Sequence, residues 1–265
     1  MASLNSFEDT VRLQQDLDRV SNWCEEWKME LNINKCHVMH IGRKNNCSEY
    51  SIRNEQTGIV SDITETSRER DLGIIITPDL KWHDQVCSAA AKASRMLGVL
   101  KNTFVSRDAN LWKRLYTTYV RPHLEYAVAS WNPYLKKDIE TLERVQHRST
   151  KAVNKIGNLS YENRCMVLKL TTLSERRQRG DMIQQYKFAS GIDKVKWASQ
   201  PIIVDGRMGR RPQLRREIVK NCAQRHNFFT NRIVNDWNKL ADDTINAQTT
   251  NGFKSRFDGE IVATS

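Results

Sequence analysis

The chain has 265 residues, 42 Lys and Arg against 31 Asp and Glu, 39 % hydrophobic residues, 11 Gly and 5 Pro. That length can bury one large core or two modest ones, and the composition excludes a collagen, a flexible linker and a disordered tail. The purest apolar run, Leu72-Gly73-Ile74-Ile75-Ile76, falls far short of the ~20 residues a membrane helix needs, and residues 1–6 lack the pattern of a signal peptide. A soluble intracellular chain is expected, with nucleus and cytoplasm not distinguished.

In chain order, Leu13, Leu17, Val20, Cys24, Trp27 and Leu31 step by 4, 3, 4, 3 and 4, the apolar stripe of an amphipathic helix that Asn32 and Asn34 end. Residues 35–42 alternate as a short strand closed by Gly42. Polar sequence follows from Arg43 to Ser48, then an extended piece at 50–52 and a turn near Thr57-Gly58. Residues 72–77 are β-branched and apolar, which predicts a buried strand, with Pro78-Asp79 turning the chain.

From Trp82 the pattern is helical. Val86, Ala89, Ala90, Ala93, Met96, Leu97, Leu100 and Phe104 predict one helix, and Asp108 is placed to cap a second through Leu111, Leu115, Tyr119 and Val120. Pro122 must kink or restart it, and Trp131-Asn132-Pro133 ends it. Asp138 is expected to cap a third helix along Ile139, Leu142, Val145, Ala152, Val153 and Ile156. Ser160 and Ser174 are expected to cap two more, with Gly191 stopping the last. Residues 192–216, with Pro201, Gly206, Gly209, Pro212 and many arginines, read as a basic linker. Beyond it Ile218, Val219 and Cys222 look helical, and Ile233, Val234, Trp237 and Leu240 predict a final helix before Phe253 and Phe257. The fold class is therefore α+β, predominantly helical: a small partial α/β piece over 1–80, a helical domain over 81–191, the linker and a helical segment over 217–265.

The charge is uneven. Residues 1–90 carry 10 basic and 15 acidic side chains, residues 91–190 carry 19 and 8, and residues 191–265 carry 13 and 8. Such asymmetry points to a polyanionic partner, nucleic acid before an acidic membrane surface; solvation of helix faces is the plainer alternative. On the third helix Arg144, Arg148, Lys151 and Lys155 step by 4, 3 and 4, a basic stripe opposite Leu142, Val145, Ala152 and Ile156. Lys81, Lys136, Lys137, Arg176, Arg177 and Arg179 extend the set of cations suited to a phosphate backbone. Three arginines near a helix N-terminus oppose its dipole and call for an anion against them. Trp112, Tyr116, Tyr119, Tyr126 and Trp131 could stack on bases, although at helical spacing such residues more often form core.

Catalytic signals are weak. Six scattered cysteines without C-x-x-C argue against a disulfide framework. Cys36, His37, His40 and Cys47 lack the two tight ligand pairs of a structural zinc site, so no metal ligand is expected. Asp242-Asp243 superficially resembles a polymerase metal pair, but two-metal chemistry needs carboxylates converging on cations about 3.5–4 Å apart, and no strand pattern flanks it; a helix end is expected. No nucleophile elbow and no nucleotide-binding glycine loop is present.

Several strings occur together in order: Leu13-Gln14-Gln15-Asp16-Leu17-Asp18, Trp23-Cys24-Glu25-Glu26-Trp27-Lys28-Met29-Glu30-Leu31-Asn32 and Lys35-Cys36-His37-Val38-Met39. Arg70-Asp71-Leu72-Gly73-Ile74, Tyr119-Val120-Arg121-Pro122-His123-Leu124-Glu125-Tyr126, Leu142-Glu143-Arg144-Val145-Gln146 and Arg176-Arg177-Gln178-Arg179-Gly180-Asp181-Met182 follow, then Asn227-Phe228-Phe229, Trp237-Asn238 and Phe253-Lys254. Together they resemble the C-terminal palm and thumb of non-LTR retrotransposon (LINE-type, jockey-like) reverse transcriptases. The resemblance implies a partial palm over 1–80, with Lys35 at the D-motif lysine and Leu72 and Gly73 in a primer-grip-like segment, and a thumb over 81–191 that clamps an RNA–DNA duplex. It implies sequence-independent binding of RNA and DNA and no membrane partner. The family uses Mg²⁺, held by aspartates in a Tyr/Phe-Ala-Asp-Asp hairpin and an earlier strand. Those motifs lie upstream of the matching region, and Ser6-Phe7-Glu8-Asp9-Thr10 is not that hairpin. Hence no catalytic or metal-binding residue and no cofactor are expected in this chain. It is expected to be inactive alone as an RNA-directed DNA polymerase, with any remaining polymerase parts supplied in trans. The alternatives are a protein-interaction or structural helical module, or a decayed element product with no selected role.

Overall fold

A computed structural model describes residues 4, 6–42, 45–53, 58–197, 201–205 and 211–264. Arg43, Thr57, Gly206 and Gly209, expected in polar or turn sequence, lie outside them. The chain is α+β and predominantly helical, about 56 % helix, and its strands pair only in twos. It divides into two compact units, Met1–Asp84 and Gln85–Ser265.

In the first unit, α1 (Phe7–Glu26) starts earlier than the apolar stripe suggests because Ser6 and Asp9 form a capping box. The Asp9 amide donates to Ser6 Oγ at 3.2 Å, and the Ser6 amide donates to Asp9 Oδ2 at 3.0 Å. The helix also ends earlier than Asn32. Lys28 adopts φ +52°, the Met29 amide donates to the Cys24 carbonyl at 2.8 Å, and the Lys28 amide donates to Glu25 at 2.9 Å. That is a Schellman closure with a lysine in the left-handed position. Of the predicted stripe Cys24 is buried and Leu13, Leu17 and Leu31 are half-buried, whereas Val20 and Trp27 are exposed.

The strand expected over 35–42 is replaced by a 3₁₀ turn, Ile33–Lys35, and the two-residue β1 (His37–Val38). β2 (Ser51–Arg53) pairs antiparallel with β3 (Val60–Asp62), and β1 pairs parallel with β4 (Thr64–Glu65). Gln14 ties α1 to β2 with its amide used like a strand neighbour: Nε2 donates to the Ser51 carbonyl at 2.9 Å, and Oε1 accepts from the Ser51 amide at 3.1 Å. β5 (Glu69–Asp71) and β6 (Ile74–Ile76) form a hairpin whose two turn residues are Leu72 and Gly73. The buried strand predicted from Leu72 therefore begins two residues later, and Ile75 is its buried side chain.

In the second unit, α2 (His83–Thr103, begun at the end of the first) buries Val86, Ala89, Ala90, Ala93, Leu97 and Leu100, the predicted face. α3 (Ala109–Leu115) is capped by Asp108, whose Oδ1 accepts from the Asn110 and Leu111 amides at 2.9 and 3.1 Å. It runs through a π turn at Tyr116–Val120 into α4 (Arg121–Glu125), with Pro122 tolerated in the first turn. α5 (Val128–Trp131) precedes α6 (Lys136–Lys151), which starts before Asp138; that residue is buried rather than a cap. α6 also stops before Val153 and Ile156. α7 (Tyr161–Leu168) has Ser160 as its cap, as predicted, but α8 (Leu173–Ala189) is capped by Thr172 and Glu175 rather than Ser174. Gly191, at φ +68°, closes α8.

Within the stretch read as a linker, β7 (Ile202–Val204) pairs antiparallel with β8 (Gln213–Arg215), and Leu214 is buried. Ile218 and Val219 are not helical; Ile218 is exposed, and the chain resumes helix at α9 (Ala223–His226). α10 (Phe229–Arg232), α11 (Val234–Lys239), α12 (Asp242–Ile245) and α13 (Thr250–Thr264) follow. One aromatic core joins α8, β8 and these last helices: Tyr186 stacks on Phe253 with centroids 4.5 Å apart, beside Trp237, Ile233 and Phe257. Tyr186 Oη donates to the Ala247 carbonyl at 2.6 Å, so the ring is buried without stranding its hydroxyl.

Candidate nucleic-acid interface

The amphipathic logic of α6 is realised in three dimensions. Leu142, Val145, Gln146 and Ser149 are buried, while Arg144, Arg148 and Lys151 are exposed along one strip. Buried polar groups on the packed side are satisfied. Tyr116 Oη donates to Gln146 Oε1 at 2.8 Å, Gln146 Nε2 donates to Tyr161 Oη at 2.8 Å and to the Thr171 carbonyl at 3.0 Å, and Trp112 Nε1 donates to the Ser149 carbonyl at 2.9 Å. Tyr161 Oη in turn donates to Glu143, whose carboxylate also accepts from the Leu173 amide at 3.1 Å. These bonds fix the helix's rotation and thereby the direction of its cations.

The guanidinium of Arg144 is braced on its own helix, Nη2 donating to Thr141 Oγ1 at 2.8 Å. Arg148 Nη2 donates to Ser94 Oγ of α2 at 2.7 Å, which joins the strip to a second helix. Lys155 is exposed just past the helix, at φ +66°. Lys136 and Lys137 are exposed at the other end, Lys136 standing 3.9 Å from Glu140; fourteen residues of helix separate Lys137 from Lys151, about 21 Å.

Two cations escaped the sequence reading. Lys101 has its pKa pushed down by partial burial and by the like charges of Arg107 and Arg148. Arg107 is held there by its Nη2 donating to the Lys101 carbonyl at 2.9 Å and by lying 4.8 Å over the Trp112 ring. The two residues sit either side of the break after α2, so no helical spacing links them. Only the fold brings them to Arg148.

The arginines of α8 behave differently. Arg176 makes a two-pronged pair with Glu125, Nη2 to Oε2 at 2.9 Å, and this hydrogen bonding holds its pKa up. Arg179 pairs with Asp258 at 2.6 and 2.8 Å, and Arg177 is buried. The anions that the sequence calls for against this helix are thus, for Arg176 and Arg179, the chain's own carboxylates. Among the aromatics, Trp112, Tyr116 and Trp131 are core, whereas Tyr119 and Tyr126 are exposed.

In the first unit Leu72 is 84 % exposed at φ +44°, followed by Gly73 at φ +85°, the positive pair that a two-residue hairpin turn of type I′ requires. Lys35 is exposed in the 3₁₀ turn, and Lys81 pairs with Asp79 at 3.2 Å. His37 Nδ1 stands 3.1 Å from Glu69. Asp242 and Asp243 open α12 rather than ending a helix, and Asp242 pairs with Arg211 Nε at 2.9 Å. Among the described residues no group of three His, Cys, Asp or Glu is placed to hold a metal ion, and no helix is long and apolar enough to cross a membrane. None of the six cysteines forms a disulfide. Comparison of the chain with protein-family models, curated proteins and solved structures gave no match.

Proposed function

We propose that the chain is a relative of a non-LTR retrotransposon reverse transcriptase, a stretch of palm followed by a thumb, and that the second unit grips the backbone of an RNA–DNA duplex. The observation that carries the reading is the exposed strip of Arg144, Arg148 and Lys151 along α6, which the bond from Arg148 to Ser94 joins to α2. Lys101, whose pKa is lowered first by burial and then by the charges of Arg107 and Arg148, adds to the positive charge that a polyanion would neutralise there. Cations along a rigid helix contact phosphates without reading bases, which is what a duplex-gripping thumb requires. The ordered strings from Leu13 to Lys254 support the family assignment, and Leu72-Gly73 at a hairpin tip suits a grip segment. With none of the family's metal-binding aspartates in the matching strings, binding without polymerisation by these residues alone is the activity proposed.

Filter binding of an RNA–DNA hybrid across a salt series tests this reading. Affinity that falls steeply with salt supports it, and absence of binding at low salt, or binding indifferent to salt, refutes it. A second reading, a protein-interaction module, draws on Val20 and Trp23 of α1 and Trp27 just past its end, all exposed, with the two indoles 6.3 Å apart. Mass measurement after nuclease treatment separates the two: a defined oligomer that survives nuclease favours the second.

A further inference from the structure

The residues between β8 and α9 form neither helix nor strand, yet their backbone is pinned. The Leu214 amide donates to Asn238 Oδ1 at 3.0 Å, and Asn238 Nδ2 donates to the Leu214 carbonyl at 2.7 Å. Three residues on, the Glu217 amide donates to Oδ1 of the buried Asn231 at 2.9 Å, and the Glu217 carboxylate receives Arg225 Nε at 2.8 Å. Side-chain amides thus satisfy backbone groups that no ladder or helix claims. Leu214 is buried, and Glu217 and Val219 are half-buried. That leaves Arg215, Arg216, Ile218 and Lys220 on the exposed side.

Charge here is one-sided. Residues 211–228 hold five Lys and Arg and a single acid, Glu217. Arg211 is engaged by Asp242 and Arg225 by Glu217, whereas Arg215, Arg216 and Lys220 pair with no carboxylate among the described residues. Asp205 follows Val204, which pairs with Gln213, so it lies at the opposite end of the β7–β8 ladder from Arg215. Apolar groups stand among these cations. Ile218 is 89 % exposed, and Phe228 is 43 % exposed with the Arg225 guanidinium 5.4 Å from its ring centre. Because Arg225 meets both Glu217 and Phe228, the ring adjoins the pinned segment.

Two apolar side chains are too few to hold a bilayer, whose grip scales with the apolar area buried in it. One ring suffices for a base, and cations beside it suffice for the backbone, but only a single strand leaves its base faces open. We propose that the surface of residues 215–228 is a second nucleic-acid site that takes a single strand. Arg215, Arg216 and Lys220 contact its phosphates, Ile218 makes an apolar contact between them, and Phe228, backed by Arg225, stacks on a base. None of these residues belongs to the α6 strip, and the proposal does not rest on the duplex reading.

The test is fluorescence anisotropy of a short labelled oligo(dT) titrated with the full chain across a salt series. It is run on the parent and on the Arg144→Ala, Arg148→Ala, Lys151→Ala background, so that strand held by α6 is not counted. On that background the oligomer should bind more tightly than an RNA–DNA hybrid of equal length. Adding Arg215→Ala, Arg216→Ala and Lys220→Ala should flatten the slope of log K against log salt by about 2, at about 0.7 per contact. Phe228→Ala should weaken binding about tenfold and leave the slope unchanged. Should the combined variant fail to fold, Lys220→Gln, expected to flatten the slope by about 0.7, decides together with Phe228→Ala. A slope unmoved by the cation changes, an affinity indifferent to Phe228→Ala, or tighter binding of the hybrid overturns the proposal. So does displacement of the oligomer by phosphatidylserine vesicles, which would mark a lipid surface. The duplex reading stands or falls separately, on hybrid binding by the parent and the α6 variant.

Discussion

If α6 grips a duplex, removing its exposed cations should change the salt dependence of binding, and the size of the change can be worked out. Each Lys or Arg that neutralises a phosphate contributes about −0.9 to the slope of log K against log salt on a B-form duplex. The triple change Arg144→Ala, Arg148→Ala, Lys151→Ala should therefore flatten the slope by about 2.7. At 0.1 M salt, one decade below a 1 M reference where those contacts add little, this is about a 500-fold loss of affinity. Stability should hardly move, because the three side chains are exposed and the buried face of Leu142, Val145 and Gln146 is untouched. The bond from Arg148 to Ser94 accounts for at most about 1 kcal/mol. Arg176→Ala is the contrasting control. It leaves Glu125 without its two-pronged partner, so it should destabilise the fold while changing the slope by less than one unit. Filter binding at four or more salt concentrations, with unfolding followed in parallel, measures both. A triple variant whose slope stays within one unit of the parent refutes the assignment of α6 to the duplex.

Phe253→Ala removes a fully buried ring stacked on Tyr186 and Trp237, and should cost roughly 3–5 kcal/mol in denaturant unfolding. Leu72→Asn gives the hairpin the Asn-Gly pair preferred at positive φ, and should stabilise the first unit by about 1 kcal/mol; slower hydrogen exchange at Ile74 and Ile76 would report it. For His147, an arginine can only donate, so Arg164 Nη2 at 3.3 Å requires Nε2 to be unprotonated. Burial and then the Arg164 and Lys151 charges lower its pKa from 6.5. The unfolded chain consequently takes up its proton first: this contribution to stability is complete above pH 6.5 and is lost as pH falls through 6.5 toward the folded value. Urea midpoints across that interval should show the loss in the parent and not in His147→Phe.

Where an element depends on its own neighbours in sequence, the chain could be read directly. The α2 face from Val86 to Leu100, the Asp108 and Ser160 caps, the Pro122 restart and the Gly191 stop all follow from local chemistry, and each is present. Readings failed where a local signal had a local competitor. Ser174 lost to Thr172 because Glu175 completes a capping box only with Thr172, and Asp138 lost because α6 starts one half-turn earlier and buries it. Apolarity misled twice: Ile218 and Val219 lie in a non-helical, partly exposed stretch, and Leu72 occupies a turn that its side chain does not favour. At the candidate interface the α6 strip was legible as spacing, whereas Lys101 and Arg107 were not, since their approach to Arg148 depends on how α2 returns past α6. The burial of Arg177 was equally hidden, because it depends on how α8 packs against elements distant in sequence.

Those distant carboxylates bear on where the positive field can act. The sequence places most of the excess charge in residues 91–190 without saying which side chains express it. An ion pair removes one charge of each sign, so internal pairing cannot lower the excess; it only decides where the excess is left. Arg176 with Glu125, Arg179 with Asp258 and Arg232 with Asp181 each fix a cation against an anion 51 or 79 residues away in sequence, which draws α8 toward α4, α10 and α13. Two of the three acids, Glu125 and Asp181, lie in the basic stretch itself. Exposed cations without a carboxylate partner among the described residues include Arg144, Arg148 and Lys151 of α6. The Arg179–Asp258 pair ties α13 to α8 away from the exposed cations of α6, so breaking it by Asp258→Asn should loosen α13 without weakening duplex binding.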